Sequence, residues 1–157
     1  MSMGAMVLLS TITLRVNTSN LMNGTIRDEA QYGVLATSIA TSIIEEATSK
    51  SFDESSDSTS VSSLNELTLA GILGPESGET DSTFDDFDDY NGFTKRDSTM
   101  PSAIFDVSCE VVYIHKSNLK VKSNSQQWHK KINVTVSSPF SQDTFKTSSI
   151  FSYWHFR

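Results

Sequence analysis

Two stretches near the end of the chain decide the fold, IFDVSCEVVYI at residues 104–114 and WHKKINVTVS at residues 128–137. In both stretches, apolar side chains alternate with polar ones, which is typical of a strand with one buried face. The inward faces are predicted to hold Phe105, Val107, Cys109, Val111 and Tyr113 in the first stretch and Trp128, Lys130, Ile132, Val134 and Val136 in the second. A third strand is predicted over residues 145–156, and a polar hairpin loop over residues 117–127. The last third of the chain is therefore predicted to be an antiparallel sheet of three to four strands.

Helical spacing is clearest upstream of this sheet. Apolar side chains recur at Tyr32, Leu35, Ile39 and Ile43, with three alanines beside them, as on one face of a helix that ends near Ser49. Asn23 and Gly24 are the points at which this helix would kink or loosen. A helix with one apolar stripe and a sheet with one apolar face cover each other, so the predicted fold class is α+β, with a long N-terminal helix packed on a C-terminal antiparallel sheet.

The chain length fits one domain. We divide it into an N-terminal helix over residues 1–50, a Ser/Thr-rich linker and acidic loop over residues 51–103, and the sheet over residues 104–157. Leu64–Leu73 is predicted to form a helical turn that Gly74 and Pro75 stop.

Composition excludes several classes of site. The single cysteine, Cys109, excludes an internal disulfide and a cysteine-based zinc cluster. No nucleophile motif or phosphate-binding glycine loop is present, so neither an enzyme nor a small-molecule substrate is predicted. The lysines from Lys116 onward form no motif and the whole chain is acidic, so we expect no nucleic-acid partner.

The net charge of −7 comes from one segment, Glu76–Asp89, which holds seven acids and no base. Two interpretations are open. In the first, Ca²⁺ is held by oxygen ligands from Asp85, Asp86, Asp88, Asp89 and Asn91. In the second, the segment is a solvated loop in which Phe84, Phe87, Tyr90 and Phe93 point inward and the carboxylates point outward. Asn91 and Gly92 would form its turn.

The segment FDDFDDYNGF at residues 84–93 carries a resemblance to a known family. Together with LGPESGE at residues 73–79 and IFDV at residues 104–107, it is similar to a segment of minor pilins of the mannose-sensitive haemagglutinin type, within the type IV pilin and pseudopilin superfamily. The resemblance covers roughly residue 27 to the C-terminus, and the order of helix and sheet agrees with it. It implies a non-enzymatic structural subunit of a type IV pilus or a type II secretion-like system. The partners would be other pilin-like subunits and the inner membrane, in the cell envelope or an extracellular filament.

The resemblance also gives a role to the apolar stretch Met3–Val16. It would be the remnant of the membrane-embedded half of a pilin helix, and its membrane or assembly residues would be Met6, Val7, Leu8, Leu9, Ile12 and Leu14. Alone, this stretch is shorter than the about 20 apolar residues that a spanning helix needs. Residues 1–14 hold neither the basic leader nor the glutamate of pilins, so no cleavage or methylation site is assigned. Either the sequence begins late or the protein is a divergent relative without processing.

A second function, from a different class, fits the same residues. The chain would be a soluble, calcium-dependent extracytoplasmic binding or adhesin domain that does not assemble.

Overall fold

The computed structural model describes residues 3–57, 59–100, 103–141 and 143–153. One long helix, α1 (Met3–Thr48), is followed by a short helix, α2 (Glu54–Asp57), and by two 3₁₀ turns, Leu64–Glu66 and Asp88–Tyr90. The strands are β1 (Thr94–Met100), β2 (Ala103–His115), β3 (Asn118–Lys122), β4 (His129–Ser137) and β5 (Thr144–Ser152). The predicted α+β arrangement of a long helix and a C-terminal antiparallel sheet is thus confirmed.

The sheet has five strands in the order β1-β2-β4-β5, with β3 paired to β2, and every pairing is antiparallel. The two strands that alternation did not predict are β1 and β3. β1 is polar. In β3, Leu119 and Val121 alternate with polar residues, but every side chain is exposed, so neither strand has a buried face. Sequence patterning finds strands that bury one face and misses such edge strands.

The predicted inward faces of β2 and β4 are confirmed. Phe105, Val107, Cys109, Val111 and Tyr113 are all buried, and so are Lys130, Ile132, Val134 and Val136. The predicted third strand corresponds to β5, which ends at Ser152, and Phe156 lies outside the described residues. The side chains of β5 are exposed or half-buried because it forms an edge of the sheet.

The second half of α1 packs on this sheet. Ala36, Ala40, Ile43 and Ala47 are buried in one core with the inward side chains of β2 and β4. The small alanine side chains let the helix lie close to the strands. The approach is also close at Gly33, where an added Cβ would come within 3.2 Å of the Phe145 ring. The helix continues without interruption through Asn23 and Gly24.

The segment between α1 and β1, expected to be a linker and loop, packs against the other end of the sheet. Phe52, Val61, Leu67 and Leu73 form a second core cluster with Tyr113. The predicted helical turn within it is the 3₁₀ turn Leu64–Glu66. This packing brings the acidic motif at residues 84–93 against the inward faces of β2 and β4.

Candidate functional site

The aromatic side chains of the acidic motif point inward, as predicted. Phe84, Phe87 and Tyr90 are buried and Phe93 is half-buried. The rings of Phe84 and Tyr90 meet edge to face with centroids 5.2 Å apart, and Phe93 contacts both. These rings cover the end of the core beside α1.

The prediction that the carboxylates of this motif point outward is wrong for three of them. Asp86, Asp88 and Asp89 are each 1% exposed, and only Asp85 is exposed. The cause is that other segments cover this side of the motif as well: Ser51 forms a parallel bridge with Asp86, and Lys130 reaches Asp88 from β4. Each buried carboxylate therefore needs a partner inside the fold.

Asp88 finds its partner in Lys130, on the inward face of β4. The Lys130 Nζ donates to Asp88 Oδ1, to Asp53 Oδ2 at 2.8 Å and to the Phe52 carbonyl at 2.7 Å. All of its three donor positions are used, and the rings of Phe52 and Tyr113 flank the ammonium with centroids at 4.7 and 5.4 Å. We call Lys130, Asp53 and Asp88 the buried ion cluster.

The two carboxylates of the buried ion cluster respond differently to the same ammonium. Burial raises the pKa of Asp88, and the opposing effect of Lys130 does not reverse it. Burial also acts on Asp53, but the charge of Lys130 and hydrogen bonds from Thr68 and Ser55 outweigh it and lower the pKa of Asp53. The surroundings therefore favour the ionised form of Asp53 more than that of Asp88.

The carboxylate of Asp86 is hydrogen-bonded to the backbone of its own turn. Its Oδ1 accepts hydrogen bonds from the amides of Asp88 and Asp89, at 2.7 and 3.2 Å, whereas its Oδ2 has no hydrogen-bond partner among the described residues. Burial and the neighbouring charge of Asp88 raise the pKa of Asp86 to about 8. Asp86 thus holds a proton at neutral pH.

Asp89 lies at the other side of the motif, facing two glutamates from upstream. One carboxylate oxygen from each of Glu76, Glu79 and Asp89 lies within 4.8 Å of the others. In the part of the chain that the structure describes, no other trio of acidic, histidine or cysteine side chains comes this close. We call these three side chains the surface acid cluster, since Glu76 is exposed and Glu79 half-buried.

The five residues predicted to bind Ca²⁺ therefore have different surroundings. Asp88 pairs with Lys130, Asp86 accepts hydrogen bonds from the backbone of its own turn, and Asp89 belongs to the surface acid cluster. The Asn91 side chain bridges two segments, donating to the Leu73 carbonyl and accepting from the Val111 amide, both at hydrogen-bond distance. Of the predicted ligand set, only Asp89 joins the cluster in which three carboxylates converge.

The first half of α1 is the other predicted functional feature. From Leu9 to Gln31 every residue is exposed, over about 35 Å of helix. Of the predicted assembly residues, Met6, Leu9, Ile12 and Leu14 are 56–68% exposed, and the side chains of Val7 and Leu8 lie outside the described residues. Exposed apolar residues continue further along the helix at Val16, Leu21, Met22 and Ile26.

Some of the polar side chains between these apolar ones are hydrogen-bonded to the backbone of the helix itself. The hydroxyls of Thr13, Thr18 and Thr25 donate to backbone carbonyls one turn earlier, at 2.8 to 2.9 Å. The donor of each of these hydroxyls is thus satisfied within the helix, so the helix surface is less polar than its composition indicates. Among the described residues, no helix has the length and apolar run needed to cross a membrane.

Sequence reasoning missed Asp53, Glu76 and Glu79 as site residues and placed Lys130 on the inward face of β4 without a role. The position of Lys130 in the sequence does indicate such a site, because a lysine at an inward position of a strand needs a buried acidic partner. Asp53 and the two glutamates lie in segments without periodicity, so no pattern joins them to the motif.

The comparisons with known proteins give no relative. No family model matches this chain, and no curated protein or solved structure is similar to it. The function is therefore argued from the residues described above.

Proposed function

We propose that this chain is a non-enzymatic structural subunit of a pilin-like assembly in the cell envelope, joined to neighbouring subunits through the first half of α1. The observation that carries the proposal is the exposure of eight large apolar side chains on that half of the helix, namely Met6, Leu9, Ile12, Leu14, Val16, Leu21, Met22 and Ile26. The sheet covers only the second half of the helix.

The distribution of these side chains around the helix supports the proposal that neighbouring subunits or lipid surround it. At 100° per residue, Leu9, Ile12 and Val16 share one side, Leu14 and Leu21 a second, and Met22 and Ile26 a third. A helix that is apolar on several sides is typical of one surrounded by neighbours or by lipid, whereas a docking helix shows one stripe. Several parallel copies or an inner-membrane surface would cover such a helix.

The energetics also support association. Burying one large apolar side chain contributes about 1.5–3 kcal/mol. Several of them together offset the about 4–15 kcal/mol that association costs in lost freedom of motion. Residues 3–26 carry a single charged side chain, Arg15, so little charge has to be desolvated.

A triple substitution tests this proposal. Leu9→Gln, Ile12→Gln and Val16→Gln together should abolish self-association in sedimentation experiments. At a concentration at which the wild type is monomeric, they should leave the melting temperature unchanged, because all three side chains are exposed and glutamine favours helix. The matched control is Leu119→Gln with Val121→Gln, which removes exposed apolar groups from β3 and should leave association intact.

Two results would refute the proposal. One is a wild-type chain that stays monomeric in buffer and in lipid vesicles at every concentration tested. The other is a purely cytosolic product when the gene is expressed in its own cells with its upstream codons. A monomer secreted from those cells would instead favour the alternative of a soluble binding domain.

A further inference from the structure

The surface acid cluster is built from a turn and a buried anchor. Glu76 and Glu79 bracket a turn in which the Glu79 amide donates to the Glu76 carbonyl at 3.1 Å, and Gly78 takes a φ of +102° that favours glycine. The Glu76 amide donates to Glu79 Oε2 at 2.9 Å, which holds the Glu79 side chain over the turn. Asp89 approaches from the 3₁₀ turn of the acidic motif.

Asp89 has an oxygen that the protein leaves without a partner. The residue is 1% exposed, and its Oδ2 accepts from the amides of Asp85 and Asp86 at 3.0 and 3.1 Å. Its Oδ1 is buried and makes no hydrogen bond within the described residues. A buried carboxylate oxygen is almost always satisfied, so this one indicates a ligand that completes it.

The charges around the cluster point to a cation. None of the ion pairs among the described residues involves Glu76, Glu79 or Asp89. Three carboxylates that disfavour each other's ionisation become compatible when a cation lies between them.

We propose that Glu76, Glu79 and Asp89 bind a divalent cation, and that this cation is Ca²⁺. All three side chains offer oxygen, the ligand of hard cations, and zinc or copper would favour histidine or cysteine. Ca²⁺ binds oxygens at about 2.3–2.6 Å, so two of its ligands lie at most about 5 Å apart, which agrees with oxygens within 4.8 Å of one another. The exposed side at Glu76 leaves room for water ligands.

Calorimetry and thermal unfolding of the full chain test this site. The protein is freed of metal with a chelator and then titrated with CaCl₂ or with MgCl₂. We expect Ca²⁺ to bind more tightly than Mg²⁺, and to raise the melting temperature by roughly 5 to 10 °C at a hundredfold excess over Kd. Glu76→Gln and Glu79→Gln should each weaken Ca²⁺ binding by about tenfold or more.

The same variants report on folding without metal. Each replaces an exposed or half-buried carboxylate and removes a repulsion, so the metal-free melting temperature should stay the same or rise, while the increment due to Ca²⁺ becomes smaller. Asp81→Asn is the matched control, since it removes one charge from an exposed residue of the same loop outside the cluster. It should leave Ca²⁺ binding unchanged.

Three outcomes would overturn the proposal. Identical unfolding curves with Ca²⁺ and with chelator would show that the folded chain binds no Ca²⁺. An equal loss of affinity in Asp81→Asn would show only a diffuse attraction of cations to an acidic loop. Full binding by the Glu76→Gln and Glu79→Gln double variant would place the ion elsewhere.

Discussion

Lys130 is a charged side chain without any contact with water, and its charge is balanced by two aspartates from distant parts of the chain. Both Asp53 and Asp88 are also buried. Desolvating such groups is expensive, so a buried pair is weak evidence for stability, but removing one partner leaves an uncompensated charge. The buried ion cluster is therefore a place where a single substitution has a large effect.

Lys130→Met should lower the free energy of unfolding by about 3–5 kcal/mol at neutral pH, because Asp53 and Asp88 lose their shared cation. Urea denaturation followed by circular dichroism measures the change. Lys131→Met is the control on the opposite face of β4 and should alter stability by less than about 0.5 kcal/mol. Equal stability of Lys130→Met and wild type would show that the cluster contributes nothing to folding.

The raised pKa of Asp86 should make the stability of the protein depend on pH. Its pKa is near 3.8 in the unfolded chain and about 8 in the folded one, so between these values the folded state holds a proton that the unfolded state has lost. The free energy of unfolding should then fall as pH rises through this window, by up to about 1.4 kcal/mol per pH unit for this one proton.

Asp86→Asn keeps an acceptor for the amides of Asp88 and Asp89 and removes the titrating group. Denaturation is measured in the presence of chelator between about pH 5 and about pH 8, inside the window set by the two pKa values. The free energy of unfolding of this variant should depend on pH less steeply than that of the wild type. Asp85→Asn, which changes an exposed carboxylate of the same motif, should keep the wild-type slope. A slope that Asp86→Asn leaves unaltered would contradict the shifted pKa.

At the scale of elements, α1 consists of two halves with different surroundings. The second half is held by the sheet through an alanine seam at Ala36, Ala40 and Ala47. The first half has no such contact, and its Thr, Ser and Asn residues are weak helix formers. Helical stability in proteins comes mostly from packing, so the first half depends on neighbours that the isolated chain lacks.

Ala40→Leu tests how closely the helix approaches the sheet. Extra methylenes in this well-packed seam should cost about 1–3 kcal/mol of unfolding free energy, measured in urea. Ala30→Leu makes the same change in the exposed half of α1 and should stay within about 0.5 kcal/mol of wild type. If both variants were equally stable, the seam would not be tightly packed.

For the whole molecule, the sequence predicts those parts of the fold in which burial repeats regularly. The faces of β2 and β4 and the stripe from Tyr32 to Ala47 follow from periods of 2 and 3.6. The edge strands β1 and β3 have no buried face. β1 is polar throughout its described side chains, and the alternation of Leu119 and Val121 in β3 is too short to separate that strand from a loop. The end of the chain at residues 154–157 lies outside the described residues.

The candidate site was only partly predictable, for a different reason. The motif itself was evident from its charge, and the inward position of its aromatics from their rhythm. Its partners come from far along the chain: Asp53 and Lys130 are separated by 77 residues, and Asp88 and Lys130 by 42. Contacts over such distances depend on tertiary packing, which no local pattern records.

The position of Lys130 has a consequence for cooperativity. Its ammonium binds Phe52 and Asp53 at one end of the irregular segment and Asp88 at the other, so it closes that segment into a loop as a metal clip would. The loop contains the turn that carries Glu76 and Glu79, and it contains every residue of the second core cluster except Tyr113. One side chain of the sheet therefore couples the ordering of residues 52–88, about a quarter of the chain, into a single event.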